Sequence, residues 1–117
     1  MPVSAMIVSL LVALLHLYFL VLEMFLWTRP LGLRTFRNTP EKAELTRVLA
    51  ANQGLYNGFL AAGLLWGVLQ ARADVLAFFL TCVAVAGVYG AWSVNRRIFF
   101  VQALPALVAL LLLAWQG

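Results

Sequence analysis

His16 and Glu23 are the two residues whose types and spacing are best suited to chemistry. They are seven residues apart, so on a helix they lie on nearly the same face, two turns apart. An imidazole changes its charge near neutral pH, and a nearby carboxylate can accept or supply a proton. The pair could therefore move a proton to or from a bound ligand, or act as the catalytic acid and base if the protein is an enzyme.

A second set of polar side chains lies in later apolar stretches and is a candidate ligand-binding face. Four of them have the spacing i, i+1, i+4 and i+5, which places them on one side of a helix. These four are Asn52, Gln53, Tyr56 and Asn57. We expect Glu23 to accept hydrogen bonds from Asn52, Gln53 or Gln102. Amides between membrane helices also serve simply to hold the helices together, at ~0.6–2 kcal/mol each, and this alternative stays open. The candidate ligand-binding residues are Asn52, Gln53, Tyr56, Asn57, Tyr89 and Gln102.

Metal and cofactor chemistry finds little support in the sequence. One histidine and one carboxylate within apolar stretches are fewer than the usual number of metal ligands. The chain has no phosphate-binding glycine loop, no HExxH motif and no nucleophile elbow. We therefore expect no metal and no cofactor.

The composition excludes most classes of soluble protein. Of the 117 residues, 65% are hydrophobic and only 10% are charged, whereas a soluble domain is about 25% charged. The high hydrophobic fraction also excludes disordered and collagen-like chains. A disulfide-rich chain is excluded because Cys82 is the single cysteine.

Four long apolar runs predict an all-α, four-transmembrane-helix antiparallel bundle forming a single integral membrane domain over residues 1–117. The runs lack two-residue alternation, and each is close to the ~20 residues that cross a bilayer as a helix. The first is longer than the apolar region of a signal peptide, and no Lys or Arg precedes it, so we expect it to remain as a span. The predicted spans are about 3–27, 48–69, 74–93 and 98–115.

The longest connection predicts a helix that begins outside the membrane. Thr39 is a suitable N-cap, Pro40 suits the first helical position, and Glu41 suits the first turn. We expect the second helix to extend from Pro40 through the cytoplasm and to enter the membrane near Val48, with Glu44 and Arg47 forming an exposed pair.

The positions of the basic residues predict the topology. Of the eight Lys and Arg residues, five lie in the connection after the first span and two, Arg96 and Arg97, in the connection after the third; Arg72 alone lies on the other side. The positive-inside rule places both basic connections in the cytoplasm and both termini on the non-cytoplasmic side. The net charge of +4 thus reflects topology rather than nucleic-acid binding, and the expected location is the bacterial inner (plasma) membrane, as a multi-pass protein.

Depth estimates predict that the polar groups cluster in the cytoplasmic half. At 1.5 Å per residue, Glu23 would lie ~6 Å deep, and His16 and Asn57 ~14–16 Å deep. This predicts a polar pocket open to the cytoplasm. Gly54 and Gly58 form a small-xxx-small spacing that lets helices approach closely and could support a homo-oligomer. Pro105 should kink the fourth helix.

Three stretches carry a resemblance to a known family. Residues 16–27 resemble its H-x-Y-x-x-x-L-E-M-F-x-W signature, residues 49–63 its L-A-x-N-Q-G-L-Y-N-G-F-L-A-x-G core, and residues 101–105 its closing Q-x-x-P element. The chain is thereby similar to the family catalogued as domain of unknown function 1304. The resemblance covers nearly the whole chain and implies a small four-helix integral membrane protein, but no particular activity. Some automatic names of relatives contain the word epimerase.

Three functional hypotheses follow. The first is a membrane-embedded protein with a pocket that binds or moves a small ligand or a proton. The second is an intramembrane isomerase or epimerase-like enzyme that uses His16 and Glu23 on a lipophilic substrate. The third is a structural subunit of a membrane complex. In each, the lipid bilayer is a partner, and a small lipophilic or polar ligand could be another.

Overall fold

The fold is described from a computed structural model, which describes residues 1–115. Within that range the chain forms helices and turns and contains no strand. The helices are α1 (Val3–Met24), α2 (Pro30–Thr35), α3 (Pro40–Leu45), α4 (Arg47–Leu69), α5 (Ala73–Ser93) and α6 (Leu104–Trp115), the last preceded by a π-helical turn over Phe99–Ala103. The all-α class predicted from the sequence is confirmed.

The four long helices follow the predicted spans closely, with one difference at the end of the first. α1 ends at Met24, three residues before the expected end at Trp27. The backbone N–H groups of Phe25 and Leu26 both donate to the carbonyl of Val21, which closes the last turn. The chain then bends toward α2, which begins at Pro30 and which the sequence did not predict.

The expected continuous second helix is wrong, because the chain forms two helices with a break at Thr46. The start is as predicted: Thr39 caps α3, its Oγ1 accepting from the backbone N–H of Lys42 at 3.2 Å. At Thr46 the backbone leaves the helical range, with φ −105° and ψ 8°. The hydroxyl of Thr46 donates to the carbonyl of Lys42 at 2.8 Å, a local bond that competes with helix continuation.

The Glu44–Arg47 pair across this break is confirmed. Arg47 Nε lies 3.4 Å from Glu44 Oε1, and both side chains are more than half exposed to solvent. An exposed pair of this kind contributes little to stability. It does place a charged group of opposite sign on each side of the break at Thr46.

Two helices are long and apolar enough to cross a membrane by length and composition, α1 and α5. The segment Phe99–Trp115 is apolar but shorter. α4 has the length of a span, with 23 residues, but it also carries polar side chains, which lower its hydropathy.

The chain divides into two compact units. The first contains Met1–Leu14 and the described residues from Leu60 onward; the second is Leu15–Phe59. In the first unit, side chains from all four long helices form one buried apolar cluster. Its members are Val12 and Ala13 of α1, Leu64 of α4, Leu76, Leu80, Val83 and Ala84 of α5, and Ala106 and Ala109 of α6.

The π-helical turn of the first unit lies where Pro105 interrupts helical hydrogen bonding. Proline has no N–H, and its ring clashes with the carbonyl four residues earlier. The N–H of Leu104 donates instead to the carbonyl of Phe99, five residues back. A widened turn therefore precedes the proline, and the predicted kink of the fourth helix stays a prediction.

Gly87 of α5 packs directly on this turn, and we expect Gly87→Ala to destabilise the protein by about 1–3 kcal/mol. A Cβ at Gly87 would lie 2.6 Å from the backbone nitrogen of Ala103, which is backbone and cannot rotate aside. Gly90→Ala is the matched control on the same helix, because its Cβ would first meet the flexible Ile98 side chain, at 3.0 Å. Thermal unfolding of both variants in detergent tests this, and equal midpoints would contradict it.

Candidate functional site

A carboxylate and an amide form the central contact of the second unit. Asn57 is buried on α4, and Glu23 is half-buried near the end of α1. Asn57 Nδ2 donates to Glu23 Oε1 at 2.5 Å. The bond joins residues 34 positions apart, so it holds α1 and α4 side by side at these two residues.

Two glycines allow α1 and α4 to approach closely enough for this bond. A Cβ at Gly54 would lie 2.6 Å from Met24 Cγ, 3.2 Å from Glu23 Cβ and 3.3 Å from the carbonyl oxygen of Leu20. A Cβ at Gly58 would lie 2.7 Å from Leu20 Cδ1. The close approach predicted from the Gly54–Gly58 spacing is therefore confirmed within this unit.

Glu23 has a neutral partner rather than a cationic one. Over residues 1–115 the ion pairs are Arg47–Glu44 and Arg72–Asp74, and neither includes Glu23. An amide N–H can donate to a carboxyl group in either protonation state, because an acceptor oxygen remains in both. Glu23 can therefore gain or lose a proton while keeping its bond to Asn57.

His16 lies on the same helix as Glu23, two turns before it. Seven residues of α1 place the two about 10 Å apart along the helix axis, whereas direct proton transfer needs ~3 Å or a bridging water. His16 is fully buried, and its ring packs edge-on against Phe19 at 5.4 Å. This axial separation does not favour direct proton transfer between the two groups.

The predicted ligand face of α4 divides into one buried and three exposed residues. Asn57 is buried, whereas Asn52, Gln53 and Tyr56 are exposed. Asn52 Nδ2 donates to the carbonyl of Val48, on its own helix, at 3.1 Å. The expectation that Asn52 would bond to Glu23 is therefore wrong, and Asn57 takes that place.

A buried stripe on α4 explains this choice. Ala50, Gly54, Asn57 and Ala61 are the buried residues of this part of the helix, and their alternating spacing of four and three residues follows one helix face. Asn57 lies on this stripe, with Gly54 one turn before it. Asn52 and Gln53 lie off it.

The other two predicted ligand residues belong to the first unit. Tyr89 is exposed on α5, and Gln102 is half-buried within the π-helical turn. The structure thus pairs Glu23 with Asn57 and places Tyr89 and Gln102 in a different unit from both.

One contact joins the turn after α1 to the break before α4, and no pattern in the sequence predicts it. Trp27 Nε1 donates to Thr46 Oγ1 at 3.1 Å, and the Trp27 ring lies 4.9 Å from that of Phe36. Nothing local to either residue indicates the pairing, because 19 residues separate them.

We expect Thr46→Val to destabilise the protein by about 1 kcal/mol, because it removes the acceptor of the Trp27 hydrogen bond without changing side-chain size. Thr35→Val is the matched control, since the Thr35 hydroxyl bonds only to the carbonyl of Leu31, on its own helix. Thermal unfolding should give a lower midpoint for Thr46→Val than for Thr35→Val. The reverse order would contradict the role of this bond.

The described residues contain no group of three or more His, Cys, Asp and Glu side chains that could hold a metal ion. Chemistry at Glu23 is accordingly that of a single carboxyl group and its amide partner.

Comparison with known proteins identifies the family. The family described as protein of unknown function (DUF1304) matches residues 10–114. The chain belongs to this family. It is also 31% identical over 115 residues to a protein of Lactococcus lactis subsp. lactis (strain IL1403) described as "Uncharacterized protein YpaA", with 95% of this chain and 97% of that protein covered. No solved structure matches.

The DUF1304 match covers the whole candidate site. Glu23 and Asn57 fall within residues 10–114, as do His16 and the other predicted ligand residues. The carboxylate–amide pair therefore lies in the part of the chain that the family shares.

Proposed function

We propose that this DUF1304 protein is a multi-pass membrane protein of the bacterial inner membrane in which the Glu23–Asn57 pair takes up and releases a proton, alone or with a small ligand. The observation that carries the proposal is the half-buried carboxylate of Glu23, whose hydrogen-bond partner is the neutral amide of Asn57. An ionisable group within a membrane helix is costly and usually serves function.

Exposed apolar surface supports the membrane location. Only 33% of the most apolar window of α1, and of α5, is buried in the protein, whereas a core helix of a soluble protein would be mostly buried. Large apolar side chains face outward on several helices: Phe78 and Val85 are each 63% exposed and Leu111 is 70% exposed. Soluble monomers rarely expose contiguous apolar patches of this kind.

Helix lengths and charge placement support four spans. At 1.5 Å per residue, the 23 residues of α4 extend about 35 Å, enough to cross ~30 Å of hydrocarbon. Phe99–Trp115 would cross as a shorter span. The basic residues of the connection between α1 and α4, and those of the connection after α5, are exposed; both would face the cytoplasm, with both termini on the opposite side.

The position of His16 favours a proton or ligand site over an isomerase. Acid–base catalysis by the two groups would require both at one substrate, but His16 is fully buried and lies about 10 Å along the helix from Glu23. Glu23 is the more accessible of the two.

Proton flux into liposomes tests the proposal. Purified protein would be reconstituted with an internal pH-sensitive dye, and a membrane potential imposed. We expect flux above that of empty vesicles for the unmodified protein and background flux for Glu23→Gln. Glutamine keeps the bond to Asn57, because its amide oxygen also accepts, so the variant should fold.

Glu41→Gln is the matched control, since Glu41 lies exposed in the first turn of α3, and its flux should equal that of the unmodified protein. Flux in Glu23→Gln equal to that of the unmodified protein would exclude Glu23 as the proton site. No flux from the unmodified protein above empty vesicles would exclude proton movement by the protein alone and favour a structural role.

A further inference from the structure

A basic segment, residues 28–49, runs from the turn after α1 into the first turn of α4, and the Glu23 site does not use its positive charge. The segment contains five basic and two acidic side chains, a net charge of +3 out of +4 for the chain. All five basic side chains are exposed: Arg29, Arg34, Arg37, Lys42 and Arg47.

The same basic segment also exposes large apolar side chains. Leu45 is 86% exposed, and Val48 and Leu49, in the first turn of α4, are 66% and 72% exposed. Helical segments that present basic and apolar side chains together are typical of the headgroup region of a bilayer. Such a segment contacts lipid phosphates and acyl chains at once.

A groove of about 310 Å³ lies within the second unit, Leu15–Phe59, at the start of α4. Its polar lining includes Thr28, Arg47 and Asn52, and its apolar lining includes Phe25, Val48 and Leu55. The volume is at the lower end of small-ligand sites, which span ~300–1,000 Å³, and suits a headgroup rather than a whole lipid. The apolar lining residues are themselves exposed, so they can continue along an acyl chain.

Arg47 is the residue best suited to hold a phosphate in this groove. Its contact with Glu44 uses only Nε, at 3.4 Å, which leaves both Nη groups as donors. A guanidinium binds phosphate through two parallel hydrogen bonds. The exposed pair with Glu44 is weak enough to yield to such a ligand.

We propose that this groove binds the headgroup of an anionic phospholipid, with Arg47 on the phosphate, Thr28 and Asn52 beside it, and the acyl chains along Phe25, Val48 and Leu55. The net positive charge of the basic segment favours a lipid with net negative charge over a zwitterionic one. The inference rests on the membrane location proposed above but not on proton movement.

Lipid titration of the purified protein in neutral detergent, followed by native mass spectrometry, tests the proposal. The probes are short-chain phosphatidylglycerol, phosphatidylcholine with the same chains, and glycerol 3-phosphate. We expect phosphatidylglycerol to bind roughly tenfold more tightly than phosphatidylcholine. Both lipids carry the phosphate that Arg47 would contact, but only phosphatidylcholine adds a cation beside a segment of net charge +3. Glycerol 3-phosphate should not bind over the same concentration range, because it lacks the acyl chains.

Three variants separate the groove from general charge. Arg47→Gln should weaken the binding of both lipids at the phosphate and reduce the preference for phosphatidylglycerol. Glu44→Gln should strengthen it, since the acidic competitor for Arg47 is removed. Arg97→Gln removes a basic residue of the other unit and should leave the preference unchanged.

Any one of three results would overturn the proposal. These are an unchanged preference for phosphatidylglycerol in Arg47→Gln, equal binding of the two lipids, and binding of glycerol 3-phosphate as tight as that of phosphatidylglycerol. Arg47→Gln should still show the Glu23-dependent proton flux, so failure of one proposal is distinguishable from failure of the other. Release of the protein from membranes by alkaline carbonate without detergent would contradict the membrane location on which both rest.

Discussion

Replacing Asn57 with aspartate is expected to destabilise the protein by about 3 kcal/mol or more. The substitution keeps the size of the side chain but replaces the amide donor with a second carboxylate at the position that now bonds to Glu23. Two carboxylates at hydrogen-bond distance repel each other, and a half-buried site screens them poorly. Thermal unfolding in detergent at neutral pH measures the loss.

The double variant Glu23→Gln with Asn57→Asp provides the control. It exchanges donor and acceptor, so the glutamine amide donates to the aspartate and the bond is restored in the opposite direction. We expect it to regain most of the lost stability, as a double-mutant cycle requires for a direct contact. A double variant as unstable as Asn57→Asp would show that the damage does not arise from the Glu23 contact.

Replacing Gly54 with valine should destabilise the protein by about 2 kcal/mol or more, because α1 and α4 could no longer approach as closely. The new side chain would meet Glu23 Cβ and the carbonyl oxygen of Leu20, at 3.2 and 3.3 Å from the Cβ position alone. One of these is backbone and cannot rotate aside. The substitution should also separate Glu23 from Asn57, so proton flux should fall together with stability.

Gly58→Val is the matched control on the same helix. Its Cβ would meet only Leu20 Cδ1, at 2.7 Å, which is the flexible end of a side chain and can change rotamer. The loss of stability should be smaller than for Gly54→Val in the same unfolding experiment. An equal or greater loss at Gly58 would show that the close approach is not centred on Gly54.

Local signals in the sequence predicted the helices well. Hydropathy predicted four long helices whose bounds in the structure differ little from those expected, and Thr39 predicted the start of α3 through its capping chemistry. These features depend on residues within a few positions of one another. The break at Thr46 was not predicted, because the local bond of its hydroxyl to the carbonyl of Lys42 also occurs within continuous helices. Its contact with Trp27 joins residues that are distant in sequence.

The sequence predicted which residues belong to the candidate site but not which of them bond to each other. Glu23 and Asn57 were both singled out, yet Glu23 was expected to bond to Asn52, Gln53 or Gln102. The depth estimate counted a continuous helix to Trp27, but α1 ends at Met24. The residues that follow are not helical, so 1.5 Å per residue does not apply to them, and the level of Asn57 was misplaced relative to Glu23.

The sequence by itself determined that the chain is helical, that it is too apolar for an ordinary soluble domain, and that Glu23 is the acidic residue within its apolar runs. The tertiary structure decided which amide Glu23 meets, where the second helix breaks and where α5 packs on the π-helical turn. The physical reason is that hydropathy and capping depend on residues close together in the chain. Which residues of α1 lie beside which residues of α4 depends instead on the non-helical connection between them and on how closely Gly54 lets the two helices approach.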